Sequence, residues 1–367
     1  MKKINQQFAL IKRLKLQVNL MMKKILFFAL FLSVFTFTHF AQNSDEVIKI
    51  ETALVNIPVI VSDRNGRNIS GLQIENFTVF EDSKPQKIEY FASEKSPLNV
   101  AILLDTSRST QQVLGKIKKA AREFIKQLQP NDQGLIVSFD NDVEFLSELT
   151  SDRKTLDRAI KNAEIGEQVG TVLQDAVFDV VNNKFAKVKG RKAIILLTDG
   201  KDFGSYINRK DLIYRLEESD TLVYSIFYET GNIRRLNNNR LPSIIFPNPN
   251  RRGGMRGQRR RQTPFPDNFP PPNQNPRNQG RVIQQQMNED AISFLKQISD
   301  STAGRLYQNE IDDLEKTFAI IANELRNQYL IGYYPEKSET TKNIHQVKVK
   351  VDKNDVVVRS KNTYRSQ

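Results

Sequence analysis

Residues 99–110 read NVAILLDTSRST, and this stretch decides the fold. Val100 to Leu104 is an unbroken apolar run, too short for a helix and bounded by polar residues. A strand covered on both faces of a parallel sheet reads this way. Asp105, Ser107 and Ser109 follow where the strand ends. In open α/β sheets, ligands gather just beyond the carboxyl ends of the strands. Three oxygen-bearing side chains at alternate positions suit a hard divalent cation such as Mg²⁺. The same residues also suit a plain strand–helix loop in which Ser109 or Thr110 caps the next helix.

Downstream, Val113, Leu114, Ile117, Ala120, Ala121, Phe124, Ile125 and Leu128 recur at helical spacing, and Pro130-Asn131 ends that helix. Further strands are expected at 134–139, 142–146, 192–197, 221–228 and 304–307. Helices are expected at 155–163, 171–185, 209–216, 288–298 and 311–325. This alternation implies an α/β domain over residues 97–328, with a doubly wound, mostly parallel sheet. Residues 232–286 interrupt it. They are rich in Asn, Pro, Arg, Gly and Gln, and are expected to be a disordered insertion in a surface loop.

Upstream, Val55, Ile57, Val59 and Val61 alternate onto one face, and Asp63-Arg64-Asn65-Gly66 supplies a hairpin turn. Residues 77–80 and 87–91 read as strands flanking a turn at 82–85. Residues 43–95 are thus a small all-β domain, too small to bury a core alone. Residues 329–334, 344–351 and 355–359 read as strands without helices to cover them. The two end segments, 43–95 and 329–367, are therefore expected to form one small flanking all-β sandwich.

The 367 residues include no Cys, and His39 and His345 are the only histidines. The first fact excludes a disulfide framework, a thiolate nucleophile and a thiolate zinc site. The second leaves little room for histidine acid–base chemistry. Residues 1–41 have the layout of an export signal, with an alternative start at Met22. Lys23 and Lys24 precede the apolar run 25–40, and Ala41-Gln42 offers a small residue for cleavage. The run is shorter than the roughly 20 residues of a membrane span. The protein is expected to be exported, to the periplasm, the cell surface or the medium, and to touch a membrane only if this segment stays uncleaved. The net charge of +13 is unevenly placed: residues 1–41 carry +7 and residues 232–281 carry +10, which leaves −4 for the rest.

A cation needs oxygens from more than one strand end. Leu197-Thr198-Asp199-Gly200 puts a carboxylate directly after the strand at 192–197, and Gly170-Thr171 puts a hydroxyl at the start of the helix 171–185. Taken singly, Asp199 also reads as a turn residue and Thr171 as a helix cap. Together, DTSRS, a Gly-Thr before a helix and LLTDG at a strand end resemble the von Willebrand factor type A domain and its metal-ion-dependent adhesion site. The resemblance implies one divalent cation, Mg²⁺ or else Mn²⁺ or Ca²⁺, at the top of the sheet. It implies that Ser107 and Ser109 bind through their hydroxyls, and Asp105 and Asp199 directly or through water. It implies that Thr171 joins when a partner occupies the site. Arg108 stands where the family often has Gly, so it is expected to point away or to find an acid. The flanking segments GLQIENFTVFED and NQYLIGYYP, together with LTDGKDF, resemble an exported bacterial branch of the family.

The expected function is cation-dependent protein binding without catalysis, in which an acidic group of a partner completes the coordination shell. The alternative is a polyanion or envelope-surface binder that holds an acidic polysaccharide through the Arg-rich residues 232–281, with the α/β domain as scaffold. Nucleic acid is not expected to be met by an exported protein. A phosphotransferase with Asp105 as nucleophile would want a second acid where Ser107 stands, and a positioned base.

Overall fold

The computed structural model describes residues 54–93, 96–230, 276–308, 311–335 and 344–365. The export signal expected at 1–41 and most of the expected insertion (231–275) lie outside the described residues. In chain order, the first half holds β1 (Val55–Asp63), β2 (Phe77–Glu81), β3 (Lys84–Gln86), β4 (Ile88–Ala92), β5 (Leu98–Asp105), α1 (Leu114–Gln127), β6 (Gln133–Phe139), β7 (Val143–Phe145), α2 (Arg153–Asn162) and α3 (Leu173–Asp179). The second half holds β8 (Arg191–Thr198), α4 (Arg209–Glu218), β9 (Thr221–Phe227), α5 (Pro276–Ser301), β10 (Arg305–Gln308), α6 (Leu314–Arg326), β11 (Tyr329–Tyr333), β12 (Ile344–Val351), β13 (Val356–Ser360) and β14 (Thr363–Arg365).

The central sheet has the order β10-β9-β8-β5-β6-β7 and is parallel except for β7, which runs antiparallel to β6. All eight residues of β5 are buried, as the apolar run predicted. Its even-numbered residues Val100, Ile102 and Leu104 pack with Phe124 of α1, Ile160 of α2 and Phe318 of α6. Its odd-numbered Ala101 and Leu103 pack with Leu173 of α3, Leu212 of α4 and Leu295 of α5. The sheet is thus covered on both faces, which is the doubly wound α/β arrangement expected.

Two antiparallel four-stranded sheets flank it, ordered β13-β1-β11-β4 and β14-β12-β2-β3. The first pairs Ile57 with Ile331, and the second pairs Val79 with Val349. Between them lie Ile57, Val59, Phe77, Val79, Tyr329, Ile331, Val347 and Val349. Strands from both ends of the chain therefore share one core. This resolves the shortage of apolar surface in the N-terminal segment.

Several details depart from the sequence reading. The helix expected at 288–298 begins at Pro276, so 276–286 is helical rather than disordered. Its first turns are polar but contain no strong breaker beyond Gly280, and Gln284 and Gln285 bond Asn288 and Glu289 one turn on. The helix expected at 171–185 starts at Leu173 and widens to a π turn over Val180–Lys184. β14 is too short to announce itself. β3 runs through Pro85, and a proline suits the outer position that this strand occupies in its sheet.

Charged groups gather at the amino end of the central sheet, where segments of the flanking sheets reach it. Arg191 at the start of β8 donates to the Ser96 carbonyl (2.9 Å) and the Leu325 carbonyl (2.7 Å). Buried Lys361 donates to the carbonyls of Glu217 (3.3 Å) and Ser219 (3.2 Å). Buried Glu324 accepts from Tyr224 (3.0 Å), and pairs with Arg305 (3.3 Å) and with Arg359 of β13.

Candidate metal centre

The centre lies beyond the carboxyl ends of β5, β6 and β8. Leu104 pairs with Leu197, so Asp105 and Thr198 emerge side by side, and the Thr198 hydroxyl donates to Asp105 Oδ2 at 2.7 Å. The chain then folds back over the carboxylate. The Ser107 amide donates to Asp105 Oδ1 at 3.0 Å. The buried Thr110 hydroxyl is shared between the carbonyls of Asp105 (2.9 Å) and Ser107 (2.8 Å). This winding brings the Ser107 and Ser109 hydroxyls within 3.0 Å of each other. Neither Ser109 nor Thr110 caps α1: the capping position is Val113, with no side-chain cap. The loop is organised around the carboxylate instead.

Asp199 is 2% exposed. Its Oδ2 accepts from Lys201 Nζ at 2.5 Å and from the Thr230 hydroxyl at 2.8 Å. Gly200 follows at φ +75°, and a Cβ there would stand 2.7 Å from Cβ of Ala291. Glycine thus serves both the left-handed turn and the close approach of α5.

Thr171 is buried, and its hydroxyl donates to the Gly170 carbonyl at 2.7 Å. Its backbone pairs with Phe203 in both directions, at 3.3 and 2.8 Å. The cap of α3 is Val172, so Thr171 is not a helix cap. Among the described residues no hydrogen bond joins Thr171 to Asp105, Ser107, Ser109 or Asp199. Its loop is instead tied to theirs. The Gly166 amide donates to the Thr106 carbonyl at 3.0 Å, and the Arg108 guanidinium donates to the Glu167 carbonyl. Arg108 therefore satisfies itself on a backbone oxygen rather than on an acid.

Burial, and then the Asp199 charge, push the Asp105 carboxyl well above the usual carboxylate range; hydrogen bonds from Ser107 and Thr198 oppose this. The buried Tyr228 phenol is pushed well above its ordinary value by burial and by the charges of Asp105 and Asp199. Among the described residues its hydroxyl has no hydrogen-bond partner. A divalent cation fits this set. It would relieve the repulsion between two buried carboxylates, and the serine hydroxyls offer neutral oxygens of the kind hard cations take.

Four residues of the site escaped the sequence reading: Thr198, Lys201, Tyr228 and Thr230. Thr198 stands inside LLTDG and Lys201 lies two positions past Asp199, so local spacing could have found them. Tyr228 and Thr230 follow β9, and only the adjacency of β8 and β9 brings them near.

Residues 100–201 match the family model of the von Willebrand factor type A domain. No curated protein matches the chain. Among solved structures, proximal thread matrix protein 1 from the mussel byssus aligns at 14% identity and TM-score 0.41, over 64% of this chain and 49% of its own. This chain thus spans about half the length of that protein, which is also described with a zinc-occupied MIDAS motif. The conserved hypothetical protein BatB from Bacteroides thetaiotaomicron aligns at 16% identity and TM-score 0.41, over 63% of this chain and 100% of its own. The vWF domain of the type V pili tip protein Mfa5 from Porphyromonas gingivalis aligns at 12% identity and TM-score 0.40, over 62% and 94%.

Proposed function

We propose that the protein is an exported, non-enzymatic binding module that captures an acidic side chain of a partner protein through one divalent cation. Asp105, Ser107, Ser109, Thr171 and Asp199 would hold the cation, which supplies a Lewis-acidic position for an outside carboxylate. The observation that carries this reading is the buried Asp105–Asp199 pair beside the joined Ser107 and Ser109 hydroxyls.

Charge argues for capture of an acid. The two carboxylates and Lys201 sum to one net negative charge, so a bound dication leaves one net positive charge at the mouth of the site. In a partly buried setting that surplus attracts a carboxylate strongly. Lys201 and Thr230 keep Asp199 oriented, and Thr198 keeps Asp105 oriented. Thr171 donates its hydroxyl hydrogen to the Gly170 carbonyl, which leaves its oxygen lone pairs to join a cation in the occupied form. Val169 and Phe203, exposed on the loops around Thr171, add apolar surface at the rim for a partner to cover. The oxygen-only donor set suits a hard cation, Mg²⁺ or else Mn²⁺ or Ca²⁺.

Calorimetric titration with Mg²⁺ and Mn²⁺ tests the proposal. The wild type should bind one cation at millimolar concentration or below, and Asp105→Ala should abolish that binding. Thr171→Ala should weaken capture of a partner, recovered from the native envelope with and without chelator, more than it weakens metal binding. No binding by the wild type, or unchanged binding by Asp105→Ala, overturns the assignment. Export is read from residues 23–41, and mass spectrometry of protein from its own source should place the mature N-terminus at or near Gln42.

A further inference from the structure

The geometry points to a second metal site, independent of the first: a zinc-type centre in the β-sandwich formed by Glu81, Asp82 and His345. Glu81 ends β2, Asp82 opens the turn into β3, and His345 lies near the start of β12. β12 runs antiparallel to β2, and this register carries His345 back over the turn. The Asp82 amide donates to the Gln346 carbonyl, and Asp82 Oδ1 accepts from the Gln346 amide, both at 2.9 Å. This clamp leaves Asp82 Oδ2 facing the imidazole.

His345 Nδ1 stands 3.0 Å from Asp82 Oδ2 and 3.2 Å from Glu81 Oε1, and one candidate ligand atom from each of the three residues lies within 4.8 Å of the others. Tetrahedral zinc with bonds of about 2.0–2.1 Å needs neighbouring ligand atoms about 3.3 Å apart. The two edges at His345, 3.0 and 3.2 Å, lie close to that value. One imidazole nitrogen with two carboxylate oxygens is a donor set for zinc or a similar borderline ion, whereas the Asp105 centre offers oxygens only. Three protein ligands leave a fourth position for water or for a group from outside.

A second observation points the same way. Glu81 is 6% exposed, yet among the described residues its Oε2 has no hydrogen-bond partner. The surroundings orient the ligands as outer partners of a metal do. The Tyr364 hydroxyl donates to Glu81 Oε1 at 2.9 Å, and its ring stacks on His345 with centroids 5.0 Å apart and planes 17° from parallel. Bound zinc would join β2 from the N-terminal segment to β12 from the C-terminal one, and so fasten the sandwich across the whole length of the chain.

The test uses the full chain, stripped with chelator and returned to millimolar Mg²⁺ so that the oxygen-only centre is filled. Zinc is then titrated by calorimetry. Wild type and Asp105→Ala should each bind one zinc at the sandwich, with a rise in melting temperature. His345→Gln and Glu81→Gln should weaken that binding by a hundredfold or more, and Tyr364→Phe by about tenfold through lost orientation. Asp82 is solvent-exposed, so Asp82→Asn keeps the test decisive even if the buried variants unfold. It should abolish the strong visible absorption of four-coordinate Co²⁺ that the wild type shows. Absence of zinc binding in the wild type, or binding and Co²⁺ absorption unchanged in Asp82→Asn, would leave only an imidazole–carboxylate ion pair and overturn the proposal.

Discussion

The two ends of the central sheet bury charge in opposite ways. At the amino end, cations meet fixed acceptors: Arg191 meets the carbonyls of Ser96, Leu325 and Arg326, Lys192 meets Asp220 at 2.7 Å, and Glu324 meets Arg305, Arg359 and Tyr224. At the carboxyl end, Lys201 pairs with Asp199, but among the described residues no cation pairs with Asp105 and the Tyr228 hydroxyl has no hydrogen-bond partner. Charge matched by fixed residues braces this end and, through Glu324 and Arg359, ties it to β13. Charge left short of a match is held ready for something that arrives. The contrast turns burial of charge, ambiguous by itself, into a guide to which end works and which end supports.

The largest effect should come from unbalancing the matched end. Glu324→Ala strands the part-buried Arg359 and removes the acceptor of Tyr224, and breaking a buried pair in this way costs about 3–5 kcal/mol. Urea denaturation should show it, and a loss below about 1 kcal/mol would mean that this end is not held by charge at all. Next comes Lys361, whose ammonium burial holds down to about 8 from an ordinary 10.5. Between those values the unfolded chain keeps a proton that the folded chain has released. Stability therefore rises with pH across that window, by up to about 1.4 kcal/mol per pH unit. Lys361→Met should flatten that rise in a series of melts from pH 8 to 10.5, and an identical series would sink the idea.

At the under-matched end the effects are smaller and reversed in sign. Lys201→Met removes the one ammonium beside Asp199, so Mg²⁺ should bind roughly tenfold more tightly in a calorimetric titration. Weaker binding would show that Lys201 supports the site rather than competing for it. Smallest is the effect of Asp105→Asn on stability without metal. It removes a repelled charge while leaving an acceptor for Thr198, so the urea midpoint should stay the same or rise slightly. A clear fall would place Asp105 among the supporting charges.

The fold was legible wherever burial was two-sided. Val100–Leu104 and Ile194–Leu197 are buried on both faces and so appear as unbroken apolar runs. The sandwich was legible from need, because neither end segment could bury its own apolar face. The start of α5 was not, since a polar helix over 276–286 and a polar coil share one composition. Within the site, Asp105, Ser107 and Ser109 could be read together because one turn carries all three. Tyr228, Thr230 and the Glu81–Asp82–His345 group could not, because pairing between distant strands places them. Thr171 was legible as a candidate, but its hydroxyl is turned to its own neighbour, a detail that local sequence does not encode.

β1 lies between β13 and β11, and β2 between β3 and β12, so the first strands made depend on the last. Roughly 270 residues separate the end of β1 from the start of β11, which at about 5–20 residues per second means tens of seconds of synthesis. Through that interval NIPVIV of β1 has both edges unpaired, a state prone to wrong pairing unless something holds it. A chain cut short anywhere before β11 keeps those edges bare for good. The sandwich therefore closes only once β11, β12 and β13 have been made, and a product that lacks them stays visible to any protease or holding factor that reads open strand edges.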